Sequence, residues 1–107
     1  MNMKTRIGLA AVALAAMSAL VLAQSDASKS YSEAMEKMMK DMHMQPSGDA
    51  DKDFAMMMIP HHQGAIDMAK VELEHGKDPQ LRKMAEGIIA AQEKEIAELK
   101  DWQATHQ

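Results

Sequence analysis

The large apolar side chains of residues 31–44 fall at Tyr31, Met35, Met38, Met39 and Met42. That spacing of three and four is the period of an α-helix. Residues 53–75 repeat it. On a wheel at about 100° per residue, Phe54, Met58, His61, Ala65, Met68 and Glu72 share one stripe. Ile59, His62, Ile66, Ala69 and Leu73 broaden the stripe on one side, and Met57 and His75 edge the other. Over residues 79–104, Leu81, Met84, Ile88, Leu99 and Trp102 mark a third stripe, predicted to be buried, with Gln92 and Glu95 inside the same arc. No stretch alternates with period two, so the fold class predicted is all-α.

Punctuation separates the three helices. Gln45-Pro46-Ser47-Gly48-Asp49 is a breaker cluster. Asp51 or Asp53 is the expected N-cap of the second helix, and Gly76 its expected stop. Asp78-Pro79 starts the third, with Asp as cap and Pro at the first helical position. So short a connection makes the two long helices an antiparallel hairpin, preceded by the shorter Met-rich helix. Pro60 either bends the second helix before its His pair or marks where that helix firmly begins. Gly64 and Gly87 interrupt good helix sequence, so close helix approach is expected at both. Asp49, Asp51 and Asp53 alternate as in a calcium loop, but Phe54 stands where Gly is needed and Pro60 where the bidentate Glu belongs.

Upstream of this the pattern changes. Lys4 and Arg6 form a basic start, residues 7–23 are apolar or small without a charge, and Val21-Leu22-Ala23 resembles a signal-peptidase site. The expected organisation is therefore a signal peptide over 1–23, a disordered tether over 24–30 and a helical metal-binding domain over 31–107. The expected location is the periplasm, with no membrane association after cleavage. Lys4 and Arg6 are two of the 12 basic residues, against 16 acidic ones, so the rest carries a net charge near −6 with His neutral. Such a balance disfavours nucleic acid and anionic membrane surfaces.

Composition then supplies the chemistry. The chain has 13 Met and no Cys, and all but Met1, Met3 and Met17 lie beyond residue 23. One cluster is Met35, Met38, Met39, Met42, His43, Met44; the other is Met56, Met57, Met58, His61, His62 and Met68. Thioether and imidazole without thiolate suit Cu(I) or its analogue Ag(I). Met58 with His62, Met57 with His61, and Met58 with His61 stand four or three residues apart, spacings that bring side-chain tips together on a helix. Met68 lies about 10 Å along the axis from His61, so it belongs to an adjoining site or reaches the ion through another helix. Met42, His43 and Met44 are further candidate ligands, from a second Met-rich segment; the sequence leaves open whether they share the ion of the His61–His62 turn. Met at helical spacing ordinarily fills cores, and Met35, Met38, Met39 and Met84 read that way. Met56, Met57 and Met58 point in three successive directions, which no core face requires. Gln92 or Glu95 is expected either to accept a ring N–H and fix the tautomer of His61 or His62, or to bond between helices with no metal role.

The run Asp53, Met58-Ile59-Pro60-His61-His62-Gln63, Ala65-Ile66, Met68-Ala69, followed by Ala91-Gln92, Glu95-Ile96 and Trp102, resembles the bacterial DUF305 family. The resemblance covers about residues 53–102. It implies a ferritin-like helical bundle, export, and copper binding or tolerance as in the CopM-type periplasmic members. On the matching positions it implies Met58, His61, His62 and Met68 as ligands. Three helices leave a four-helix bundle incomplete, so either the bundle is truncated or a homodimer supplies the missing faces.

The leading expectation is a non-enzymatic protein that sequesters Cu(I) or hands it to periplasmic copper transport proteins, with Cu(II) bound through His. One alternative is a metal-free helical interaction module, since Met-rich faces adapt to partner helices. Another is a di-iron oxidase, for which Glu72 and His75 provide a single Glu-x-x-His motif where two are needed.

Overall fold

The computed structural model describes residues 3–107, with side chains from residue 12 onward. Lys4 and Arg6 of the expected signal peptide lie outside the described side chains. Three helices and no strand make up the described residues: α1 (Met3–Asp41), α2 (Ala50–His75) and α3 (Pro79–Thr105). The all-α expectation holds. Among the described residues no helix is long and apolar enough to cross a membrane; the apolar stretch 7–23 belongs to them only in part.

Two boundaries differ from expectation. Residues 24–30, expected as a tether, continue α1 as helix. No Gly or Pro interrupts residues 9–45, and Lys29 and Glu33 pair at 3.9 Å one turn apart, so nothing local stops the helix from propagating. At its other end α1 stops at Asp41 rather than at residue 44, leaving His43 and Met44 in the connection. Gly48 there has φ 91°, a conformation that suits glycine.

The N-cap of α2 is Asp49, earlier than the expected Asp51 or Asp53: its carboxylate accepts the N–H groups of Asp51 and Lys52, both at 3.1 Å. Asp53 instead folds back on the loop. It accepts the Ser47 N–H (2.8 Å), the Ser47 hydroxyl (2.7 Å) and the Gly48 N–H (3.2 Å). The Ser47 hydroxyl and N–H, helped by the Gly48 N–H, hold this carboxyl below its usual range. A depressed carboxyl pKa contributes stability that is present at neutral pH and lost as pH falls through the folded-state value. The loop and the first turn of α2 are therefore expected to loosen below about pH 4, and Ser47→Ala should weaken that dependence. Amide exchange at residues 47–53 across an acid titration reads both.

Asp78 caps α3 as expected, accepting the Leu81 N–H at 2.9 Å. The C-terminal end of α2 is closed by Arg82, which the sequence pattern did not single out. Its guanidinium donates to the Leu73 carbonyl (2.8 Å) and the Gly76 carbonyl (3.0 Å). Gly76 ends α2 without a left-handed turn, at φ −72°.

α2 lies between its neighbours: it packs on α1 and on α3, and α1 and α3 share no interface among the described residues. The molecule measures 77 × 26 × 15 Å. Because α1 and α3 do not touch among the described residues, the three helices lie side by side with α2 in the middle. The core is correspondingly small: Ala34, Ala55, Ile66, Ala69, Val71 and Ala85, with Ile66 the largest fully buried side chain described.

α2 accordingly has two buried strips. Ala55, His62, Ile66 and Ala69 face α3, while Pro60, Gly64 and Val71 lie toward α1. Pro60 sits within continuous helix, so α2 does not begin there. The stripe of Phe54, His61 and Met68 falls between these strips and is exposed. On α3 the expected burial of Leu81, Met84 and Ile88 is not found; all three are exposed. Ala85 is buried instead, with Arg82, Ile89, Gln92, Ile96 and Leu99 half-buried beside it. Met35, Met39 and Met84, expected as core, are 51%, 67% and 54% exposed. Met38 alone of that group packs as core, against Gly64.

Gly64 and Gly87 part company here. A Cβ on Gly64 would stand 2.5 Å from the Met38 sulfur, whereas one on Gly87 would meet nothing within 4 Å. Close approach explains Gly64 only. Gly87→Ala is expected to stabilise the protein by up to about 1 kcal/mol through helix propensity. For Gly64→Ala that gain is offset by an overpacking cost of about 1–3 kcal/mol as Met38 shifts. Urea titration of the two variants should give changes of opposite sign.

Candidate metal centre

Helix periodicity places the candidate ligands, and packing then divides them into separate sets. Met58 and His62, one turn apart on α2, line a groove of about 610 Å³ between α2 and α3. Phe54 and Trp102 wall it, and Asp51, Glu95 and Glu98 bring carboxylates to it. His62 is 8% exposed. Its Nε2 stands 2.5 Å from the Glu95 carboxylate on α3. Of the two residues considered for that role, the structure selects Glu95, and of the two histidines, His62. Gln92 is half-buried at the same interface, one turn before Glu95.

This bond has a chemical consequence. A carboxylate accepts the Nε2–H, which leaves the lone pair of a neutral imidazole on Nδ1. His62 Nδ1 is buried and has no hydrogen-bond partner. Buried nitrogens without partners are uncommon and call for an explanation. A metal-ligating histidine usually gives its other ring N–H to a carboxylate or carbonyl, as His62 does to Glu95.

Met57, His61 and Met68 form a second set on the adjoining exposed ridge of α2. The His61 and His62 rings lie 6.2 Å apart at 62°, so the two imidazoles open toward different surroundings. Met38 packs at Gly64 with α1 antiparallel to α2, which brings Met35 to the level of Met68 on the same side of the layer. Met44 lies elsewhere. With Met56, Ile59 and Pro60 it lines a groove on the opposite side, closed by Gln63 and Lys100. Met44 thus stands apart from the His61–His62 turn, because α1 ends one turn early and the loop descends on the other face. Met42 is half-buried at the end of α1, and His43 is exposed.

Among the described residues no three His, Asp or Glu side chains stand close enough to hold an ion by themselves. The Glu72–His75 pair sits at the C-terminal end of α2, with His75 Nε2 buried and lacking a hydrogen bond. Trp102 is engaged a second way: its ring stacks on His106 at 4.2 Å and 7°, and its carbonyl contacts His106 Nδ1 at 2.7 Å.

A layer of three antiparallel helices bearing Met and His side chains on its central member defines a class of small all-α protein. The family model of the domain of unknown function DUF305 matches residues 8–103, and the chain belongs to that family. A 49-residue stretch is 43% identical to an uncharacterised protein of Acanthamoeba polyphaga mimivirus, covering 46% of this chain and 32% of that protein. The chain thus spans about a third of the length of this curated relative.

Proposed function

We propose that this protein binds Cu(I), with Ag(I) as an analogue, through thioether and imidazole groups on α2, and sequesters it or passes it on. The observation that carries the reading is His62: one ring nitrogen on Glu95, the other buried and unpartnered, one helical turn from Met58. His62 and Met58 are the inner ligands of this proposal. His61, Met57 and Met68 offer further donors on the exposed ridge, and Met42 and His43 accessory ones at the end of α1. Met58 and His62 line the same groove, so the donors offered include thioether sulfur, which favours Cu(I) over harder cations. Cu(II) would be held more weakly, by the histidines.

The ferritin-like, CopM-type assignment, export by residues 1–23, a periplasmic location, delivery to copper transport partners and the absence of catalysis belong to the same proposal. The basic-then-apolar leader supports export. The metal-free interaction module is the second reading, favoured by the exposed apolar side chains of α3.

The test is a Cu(I) titration against a competing chelator, with X-ray absorption of the loaded protein. Sulfur and nitrogen scatterers in the first shell are expected. An oxygen-dominated shell, or no binding beyond that of a weak chelator, would sink the proposal. Glu95→Gln should weaken Cu(I) binding by about 10–100-fold, the usual effect of losing a carboxylate behind a ligating histidine.

A further inference from the structure

The two broad faces of the layer differ in kind. Lys37 and Asp41 of α1 pair at 2.6 Å; this bond, aided by the charge of Asp67 on α2, raises the Lys37 pKa. That charged edge continues through Gln63 to Lys100 of α3, which line the groove on this side. The helical wheel puts Met35, Met57, His61, Met68, Met84 and Ile88 on the opposite face, every one of them exposed. A helix layer must bury its apolar side against a second layer, and this chain supplies none within its described residues.

We infer that a second copy of this chain covers the Met-rich face, related by a two-fold axis that passes near Ala65. The size is right: α2 is about 39 Å long, and with a layer width of 26 Å the face offers about 1,000 Å² per copy, against about 800 Å² in a standard stable interface. The face can meet its own copy as an isologous contact requires: exposed methionines run along α1, α2 and α3, with Glu72 on the central ridge and Glu95 and Glu98 toward the α3 edge. Ala65 has the smallest side chain on the central ridge and marks where two antiparallel copies of α2 approach most closely.

This arrangement answers a difficulty within one chain, where His61 and Met68 are about 10 Å apart along the axis and cannot share an ion. They stand four residues before and three after Ala65. Across a two-fold axis at Ala65, His61 of one copy therefore comes level with Met68 of the other, twice per dimer. The shared ligand pair rests on the copper reading; the pairing of faces does not.

The test uses the full chain as recovered from expression. Sedimentation should give twice the chain mass without metal. Because the chain has no cysteine, Ala65→Cys should cross-link efficiently under mild oxidation, whereas Lys70→Cys, exposed on the far side, should stay single. A single-chain mass, or equal cross-linking of both variants, overturns the inference. So does a dimer held only by the apolar half of α1, in which Ala65→Cys stays single.

The ligand pair is tested by complementation. His61→Ala and Met68→Leu should each lose the ridge ion. Refolded together, they should recover about a quarter of the wild-type ridge capacity, because half the dimers are hybrids with one intact pair. Wild-type copper binding with no recovery on mixing rejects the shared site alone. No copper binding by any chain rejects the copper reading, while the cross-link still decides the dimer.

Discussion

Replacing Met57, Met58 and Met68 together with leucine is expected to lower Cu(I) affinity by at least about 100-fold, or about 2.7 kcal/mol, while leaving the helices intact. Leucine matches methionine in volume and helix propensity, and such swaps cost less than about 1.5 kcal/mol even in a packed core. Met57 and Met68 are 40% and 37% exposed and Met58 is half-buried, so the packing cost falls mainly on Met58. The thioethers vanish, and with them the soft donors that select Cu(I). Cu(II) affinity, which relies on His61 and His62, should fall much less. Competition titration with both oxidation states, beside a circular-dichroism melt, separates the outcomes. Equal losses for Cu(I) and Cu(II) would point to lost structure. Unchanged Cu(I) affinity would remove sulfur from the site. An interaction module that needs no metal would lose neither fold nor partner in this variant.

Much of the fold was legible because its signals are local. Asp78-Pro79 states a helix start with a cap and a fixed φ, and Asp78 does accept the Leu81 N–H. The His62–Glu95 contact was half-legible: a carboxylate inside an otherwise apolar arc needs a partner, and imidazole on the neighbouring helix is the obvious one. Which histidine it takes depends on rotation and register, which periodicity leaves open.

The burial of α3 was misread for a related reason. Leu81, Met84 and Ile88 are its larger apolar residues, and hydrophobicity alone points them inward. With α2 as its one neighbour among the described residues, α3 turns its smaller Ala85 to the contact, where Arg82 can reach the end of α2. Close packing and two carbonyls in need of a donor outweigh the hydrophobic stripe within one chain. The larger side chains are left for whatever covers the other face. The helical course of residues 24–30 was missed because small polar composition suggests a tether, yet it contains nothing that breaks a helix running in from upstream.

The second large effect is expected from Ile66→Ala. Ile66 is 2% exposed, while the rest of the core is alanine and one valine. Truncating a buried Ile to Ala costs about 2–5 kcal/mol. A single small core of this kind supplies about 3–5 kcal/mol in total, so most of the stability should go, and the chain should be largely unfolded at 37 °C. Ile66→Val, which removes one methylene, should cost only about 0.5–1.5 kcal/mol and leave the fold standing. Ile88→Ala makes the informative contrast, because Ile88 is 38% exposed in the single chain. On an uncovered face it should change stability by no more than about 0.5 kcal/mol. Under a second copy its effect should grow with protein concentration, as stability does when folding and assembly are linked. Urea unfolding of the three variants at two concentrations a hundredfold apart gives both answers. Ile66→Ala should be low throughout, and Ile88→Ala should part from wild type only where the dimer forms.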